Sequence, residues 1–358
     1  MDRIQADEAF VSQLRWENLF FSRSTVLSVH AMPSSEQTLL SYTTMTPTAS
    51  GEASFLSTLP SLLTRSSRTQ RSGEGQDRSN VDQRSLIAAF ASRVSSTSVW
   101  PANDPQKLFV CASAGGSQNV YIGSLSHEDR VSYPPVFFNI GNEETTLWDS
   151  AISPTGNTAA LSASDNVHHF SMDGHLLNTL PKSTNSRSLS WLNPTTIAAG
   201  ASKTVLFWDT RARGSTTRFS CPHTITGVQT VPSSSGTQLL LATNHGLSLH
   251  DTRMFTAKAS KPLLHFSQLH EGPQLVFDVS QRDLVAVSAK NGAKDEVRVL
   301  SLRTGRPVRT LQTPRDVVKR PTQLAWNEDE RGVEFLQACI GERVGRWCWK
   351  DMEGEGGA

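Results

Sequence analysis

Two short segments of this chain contain an aspartate and, two positions later, end in an arginine. They are residues 205–211 (VLFWDTR) and residues 247–253 (LSLHDTR). An arginine guanidinium binds a carboxylate through two parallel hydrogen bonds, and arginine and tryptophan are enriched where protein interfaces bind most strongly. The chemistry on offer is therefore recognition of another protein. The candidate interaction residues are Trp208, Asp209, Arg211, Asp251 and Arg253.

The same alternation of apolar residues recurs less regularly elsewhere in the chain. The looser copies begin at Val120, Val167, Val297 and Val344, so that the six segments start roughly 40 to 50 residues apart. A repeat of this length is typical of a β-propeller, in which each repeat forms one four-stranded blade. Turns containing Pro or Gly, followed by strands of small apolar residues, precede several copies, as a β-meander requires. Unrelated amphipathic strands of a β-sandwich are the alternative.

The length of 358 residues suits one ring of seven blades. We therefore predict an all-β fold, a single seven-bladed β-propeller with degenerate repeats and a disordered basic insertion. The predicted division is an N-terminal segment at 1–23, an irregular first blade at 24–63, an Arg/Ser-rich loop at 64–84, the remaining blades at 85–351 and a disordered tail at 352–358.

The two ends of the chain are expected to meet. Residues 321–351 supply three strands, so the fourth strand of the last blade would come from residues 12–20. Such a pairing removes exposed sheet edges, and trimming the first 20 residues should then destabilise the whole ring. For residues 10–21 the sequence alone leaves helix and strand open. For the loop at 64–84, a solvated insertion is favoured over a basic docking segment for an acidic partner or RNA.

Composition and motifs narrow the function. The net charge of +1 argues against obligate nucleic-acid or membrane binding, and no Cys-x-x-Cys pair among the four cysteines indicates zinc. No signal peptide or long apolar run is evident, so we expect an intracellular protein of the nucleus or cytoplasm. No catalytic motif is present, and we expect neither enzyme activity nor a cofactor. A metal or acid/base site is a weak alternative among His223, His245, His250, His265 and His270. We expect core packing for Trp100, Trp148, Trp191 and Trp326.

Strand segments that end in Trp-Asp at this period resemble WD40-repeat proteins, over roughly residues 95–351. Only Trp208 and Asp209 spell the signature dipeptide; the other copies have His-Asp, Leu-Ser, Phe-Ser or Trp-Cys. No repeat has the expected Gly-His pair. The resemblance implies a WD40-type propeller in which most blades lack the buried Asp-His-Ser/Thr-Trp network.

The two arginine-bearing segments resemble a narrower group, the WD40 substrate receptors of cullin-4 ubiquitin ligases. There, boxes of the form Trp-Asp-x-Arg or Asp-x-Arg end adjacent blades, and their arginines contact the adaptor, damage-binding protein 1. The matching residues here are Phe207, Trp208, Asp209 and Arg211, then Leu249, His250, Asp251 and Arg253. The layout also resembles the cullin-4-associated-factor family, in which two boxes precede a blade like residues 296–311.

Two hypotheses of different classes follow. A substrate receptor, acting as a monomer within a complex, would bind the adaptor on one face and an unknown substrate protein elsewhere; Arg211 and Arg253 would then be exposed, on one side, with few internal partners. A plain scaffold of another assembly, in RNA processing, trafficking or chromatin, would use both arginines in internal salt bridges. A propeller hydrolase, with acidic or histidine residues converging on the channel, is a distant third.

Overall fold

The chain folds into β-strands in a computed structural model. It describes residues 14–21, 25–32, 37–45, 52–60, 85–90, 94–101, 108–114, 118–124, 136–140, 145–180, 186–212, 216–255, 261–266, 269, 275–291, 294–312, 320–328, 333–340 and 343–349. The loop predicted at 64–84 and the tail at 352–358 lie outside these residues.

The strands in chain order are β1 (Leu14–Phe21), β2 (Thr25–Met32), β3 (Gln37–Met45), β4 (Glu52–Pro60), β5 (Ser85–Phe90), β6 (Val94–Pro101), β7 (Leu108–Ala114), β8 (Asn119–Ser124), β9 (Val136–Asn139), β10 (Leu147–Ile152), β11 (Thr158–Ala163), β12 (Val167–Ser171), β13 (Leu176–Leu180), β14 (Ser186–Asn193), β15 (Thr196–Ala201), β16 (Thr204–Asp209), β17 (Thr216–Ser220), β18 (Ile225–Thr230), β19 (Gln238–Thr243), β20 (Gly246–Asp251), β21 (Leu264–Phe266), β22 (Phe277–Val279), β23 (Leu284–Asn291), β24 (Lys294–Ser301), β25 (Pro307–Leu311), β26 (Pro321–Glu328), β27 (Glu334–Ile340) and β28 (Arg343–Trp349). Two 3₁₀ turns lie at Pro232–Ser234 and Thr252–Met254.

These strands form seven four-stranded antiparallel sheets within the described residues. We number the sheets along the chain: sheet 1 is β2–β5, sheet 2 is β6–β9, sheet 3 is β10–β13, sheet 4 is β14–β17, sheet 5 is β18–β21, sheet 6 is β22–β25, and sheet 7 is β26–β28 with β1. The prediction of an all-β fold is confirmed, and the arrangement of the sheets is propeller-like.

Sheet 7 joins the two ends of the described chain. Strand β1 pairs antiparallel with β28, with Leu14 opposite Trp349 and Phe21 opposite Arg343. Residues 14–21 are therefore a strand, which decides between the two conformations that the sequence left open. In sheet 1, strands β2, β3 and β4 lie within residues 24–63, the predicted first blade, and β5 follows the predicted loop.

The second strand of each central sheet is buried on both faces. In β15 every residue after Thr196 is buried, and β19 has the same pattern after Gln238. Small residues in such strands allow the sheets to approach closely. A Cβ atom added to Gly200 would lie 2.7 Å from the side chains of both Ile225 and Val228 in the next sheet. Glycine is therefore the residue that fits between sheets 4 and 5.

The first strands of neighbouring sheets run side by side in the same direction. Ser190 Oγ donates to Thr230 Oγ1 at 3.0 Å, and the backbone N–H of Val228 donates to Ser188 Oγ at 2.9 Å. Both contacts join β14 to β18 at equal spacing along the two strands. Sheets 4 and 5 therefore present equivalent strand ends on the same face.

Candidate functional site

The first candidate box lies where β16 ends and the chain turns outward. Oδ1 of Asp209 accepts the backbone N–H of Arg211 at 3.0 Å and its Nε–H at 2.9 Å, and Oδ2 accepts Nη2–H at 2.7 Å. The N–H of Thr210 donates to the carbonyl oxygen of Thr195 at 2.8 Å, which ties this turn to the start of β15. One carboxylate thus fixes both the backbone and the side chain of the arginine.

The second box repeats this geometry in sheet 5. Asp251 accepts the backbone N–H of Arg253 at 2.9 Å, its Nε–H at 2.9 Å and its Nη2–H at 2.6 Å. The N–H of Thr252 donates to the carbonyl oxygen of Thr237 at 2.9 Å. The registers agree as well, since Asp209 lies opposite Thr196 and Asp251 lies opposite Gln238, the first residue of the neighbouring strand in each case.

Both arginines are exposed although both are paired. The side chains of Arg211 and Arg253 are each 72% exposed. Because β14 and β18 run side by side, the ends of β16 and β20 lie on the same face, and so do the two arginines. The exposure and common face are those expected of a receptor, whereas the internal ion pairs are those expected of a plain scaffold.

The electrostatics of the two boxes are alike. The side-chain hydrogen bond from Arg211 lowers the pKa of Asp209 to about 2, and the bond from Arg253 does the same for Asp251. Both carboxylates are therefore ionised throughout the physiological pH range. A guanidinium has five N–H donors, of which each aspartate occupies two. Within the described part of the chain, the other three N–H groups of each guanidinium have no partner and can bind a further acceptor.

The residues directly before the two aspartates support the boxes from inside. Trp208 is fully buried, and its Nε1–H donates to the carbonyl oxygen of Ala212 at 3.2 Å. In the second box His250 takes this place; its Nε2 lies 2.9 Å from Ser248 Oγ, and its ring packs 5.7 Å from that of Phe255. Burial lowers the pKa of His250 to about 4, so this ring is neutral at pH 7. Trp208 and His250 position the boxes.

Met254 is a surface residue that the sequence reasoning missed. It follows Arg253 directly and is 66% exposed. Its neighbour Phe255 turns inward, with its ring 4.4 Å from that of Phe219. Exposed apolar side chains next to arginine are typical of protein interfaces, but a single methionine in sequence gives no indication of its exposure.

Trp148 does not pack in the core as the sequence predicts. The residue is 36% exposed, and the guanidinium of Arg187 lies 5.3 Å from its ring centroid. Trp191 is buried as predicted, with its Nε1–H donating to the carbonyl oxygen of Ala151 at 3.1 Å. Trp326 is partly buried against the core of sheets 6 and 7. The side chain of Trp100 lies outside the described residues.

Of the five histidines that the sequence groups together, His223 and His245 lie side by side with His265 nearby, and His270 lies outside the described residues. His169 is buried between Trp191 and Trp208, while the neighbouring His168 lies within 3.4 Å of Thr179 Oγ1. The rings of His223 and His245 lie 4.1 Å apart on the surface. Among the described residues, no three His, Cys, Asp or Glu side chains form a group that could hold a metal ion.

A cavity of about 830 Å³ lies among the first strands of sheets 2 to 6, and most of its lining comes from sheets 3 to 5. Hydroxyl, amide and apolar side chains line it, and none of these described lining residues is ionisable; they include Ser150, Ser188, Ser190, Asn193, Gln229 and Thr230. The cavity therefore offers hydrogen bonds and no acid or base within the part of the chain that the structure covers.

No protein-family model matches the sequence of this chain, and no curated protein matches it. In the described ranges, no helix has the length and the apolar composition needed to cross a membrane.

Proposed function

We propose that this chain is a seven-bladed WD40-type β-propeller that acts as a substrate receptor of a cullin-4 ubiquitin ligase, in the nucleus or cytoplasm. In this proposal Arg211 and Arg253 bind an adaptor of the damage-binding protein 1 type, and another surface captures a substrate protein. The mechanism is binding alone, with no covalent step on this chain.

The repeated geometry of the two boxes is the observation that carries the proposal. Each box has the same three hydrogen bonds, the same register and an equally exposed arginine. The layout resembles the cullin-4-associated-factor family, and its fourth member in particular. In both boxes the aspartate orients the guanidinium before a partner arrives, which reduces the entropy lost on binding.

The propeller assignment rests on the sheets and their contacts. Sheets of four antiparallel strands, one per repeat of roughly 40 to 50 residues, are what a propeller requires. The pairing of β1 with β28 would close the ring. Closure leaves rigid turns on one face, and such a scaffold suits the display of binding residues.

The test is direct binding of purified damage-binding protein 1 to the full chain and to the double variant Arg211→Glu, Arg253→Glu. Loss of two interface hot spots should weaken binding by roughly 100-fold or more. Arg218→Glu reverses an exposed arginine on the outer strand β17 and is the matched control. Circular dichroism checks that each variant is folded.

The alternative is a scaffold of another assembly, and the internal Asp–Arg pairs of both boxes are the observation that favours it. In that case the pairs stabilise turns, and the binding surface lies elsewhere. Absence of adaptor binding by the parent chain would support the scaffold and refute the receptor, and equal binding by the parent and the double variant would refute Arg211 and Arg253 as the adaptor contacts.

A further inference from the structure

A third arginine occupies the same structural position in sheet 6. Strand β24 ends at Ser301, opposite Leu284, the first residue of β23. This is the register that Asp209 and Asp251 have in their own sheets. The next residue, Leu302, donates its N–H to the carbonyl oxygen of Asp283 at 2.8 Å, as Thr210 and Thr252 do in their turns. Arg303 is therefore equivalent in position to Arg211 and Arg253.

In sheet 6, two residues accept the hydrogen bonds that a single aspartate accepts in sheets 4 and 5. Ser301 Oγ accepts the backbone N–H of Arg303 at 3.3 Å. Oδ2 of Asp283, from the preceding turn, accepts Nε–H at 2.9 Å and Nη2–H at 2.6 Å. The same two guanidinium donors are used as in the other boxes. Sheet 6 thus contains a split box: Ser301 lies at the end of β24, and the carboxylate of Asp283 comes from the turn between β22 and β23.

The split box borders a cleft between sheets 5 and 6. Ser233 Oγ of sheet 5 donates to Oδ1 of Asp283, so the carboxylate also links the two sheets. The cleft has a volume of about 780 Å³. Among the residues lining it are Ser234, the exposed Leu263 and Arg303, whose side chain is 32% exposed. A partner side chain that enters this cleft would meet an oriented guanidinium.

The equivalent position in sheet 3 carries an acid instead of an arginine. In β12 the residue opposite Thr158 is Ser171, and the residue two positions further on is Asp173. An acid therefore stands where the next three sheets have an arginine. From sheet 3 to sheet 6, the equivalent positions carry one carboxylate and then three guanidinium groups. The two ends of this surface therefore differ in charge.

We propose that Arg303 is a third arginine anchor of the surface formed by Arg211 and Arg253, and that the surface binds an acidic face of its protein partner across three consecutive sheets. This inference rests on the proposed function. The Nη1 edge of each guanidinium binds a carboxylate of the partner, since Nε and Nη2 are held by the protein's own aspartates. The cleft beside Leu263 accepts an apolar side chain next to that carboxylate.

The test measures adaptor affinity for the full-length parent chain, for Arg303→Glu and for Arg303→Gln, with Arg218→Glu as the control. We expect Arg303→Glu to weaken binding about 10- to 100-fold and Arg303→Gln somewhat less, while the control binds like the parent. Asp283→Asn keeps the arginine but weakens its orientation, and it should fall between the parent and Arg303→Gln.

The outcomes separate the two proposals. Parent-like affinity of folded Arg303→Glu, together with loss of binding by Arg211→Glu, Arg253→Glu, would overturn the third anchor and leave the receptor proposal intact. A parent chain that does not bind the adaptor refutes the receptor proposal and the third anchor with it. Thermal unfolding of each variant shows whether a loss of affinity reflects a loss of structure.

Discussion

The carboxylate of Asp251 binds both the side chain and the backbone of Arg253. It accepts hydrogen bonds from Nε–H at 2.9 Å, from Nη2–H at 2.6 Å and from the backbone N–H at 2.9 Å. An ion pair with so exposed a guanidinium contributes only about 0–1 kcal/mol to stability, because water competes for the arginine. Its main consequence is geometric, since it holds the guanidinium in one orientation at the end of β20.

Replacement of the box aspartates by asparagine tests this orienting role. In Asp209→Asn and Asp251→Asn one oxygen remains as an acceptor, and the amide nitrogen repels the guanidinium donors. We expect the free energy of unfolding in urea to change by less than about 1 kcal/mol, since the arginine of each pair is exposed. Adaptor affinity, measured by calorimetry, should fall roughly tenfold for each variant, because the arginine side chain is then ordered only when the adaptor binds. Unchanged affinity would show that orientation by the aspartates is irrelevant.

The boxes are the part of the site that sequence predicts best. An aspartate at the end of a strand and an arginine two positions later are local, so their bonds depend only on the turn between them. The exposure of Arg211 and Arg253 is not local, because it depends on which side of neighbouring sheets faces solvent. The sequence therefore identifies the boxes but leaves open whether their arginines are paired internally and whether they are exposed; in the structure each is paired, and each side chain is 72% exposed.

Gly236 should be the most sensitive glycine of sheet 5. It has φ +83°, and a Cβ there would lie 2.2 Å from the backbone oxygen of Leu192 in the neighbouring sheet. Gly236→Ala combines backbone strain with a contact that only a backbone shift can relieve, and should cost more than about 2 kcal/mol. Gly305→Ala is the matched control, because φ is +71° there and the nearest atom is the flexible side chain of Leu264 at 3.3 Å. Urea unfolding measures both, and equal losses would contradict the close approach.

Asp278 should make stability depend on pH. It accepts hydrogen bonds from Gln229 and from the backbone N–H of Trp326 at 2.6 Å, and burial raises its pKa to about 6. A carboxyl whose pKa is higher in the folded state stabilises the fold at low pH, and this contribution is lost as the pH rises through about 6. The difference from the usual value near 3.8 corresponds to at most about 3 kcal/mol.

The comparison of the parent with Asp278→Asn isolates this contribution. As the pH rises from 3 to 7, the parent should lose up to about 3 kcal/mol of unfolding free energy that the variant does not lose, about half of it above pH 5. Urea unfolding at several pH values measures the difference between the two proteins. Parallel pH profiles would show that Asp278 does not titrate in this range.

Contacts between residues far apart in sequence are where sequence reasoning fails. Asp278 bonds to the backbone of Trp326 and Asp283 bonds to Arg303, yet in sequence both aspartates resemble ordinary turn or strand-end residues. Their partners are 48 and 20 residues away; the packing of sheets 6 and 7 brings the first pair together, and the strand pairing within sheet 6 brings the second together. Trp148 fails for a related reason, since its exposure depends on the neighbouring sheet that carries Arg187.

Hydrogen–deuterium exchange of the full chain, with and without purified damage-binding protein 1, tests the central claim most directly. We predict slower exchange at 210–211 and 252–254, and at 302–303 if the third arginine takes part. The turns at 202–203 and 244–245, on the opposite face, should exchange at the same rate in both samples. Protection confined to that opposite face, or no protection at saturating adaptor, would contradict a docking surface built on Arg211 and Arg253.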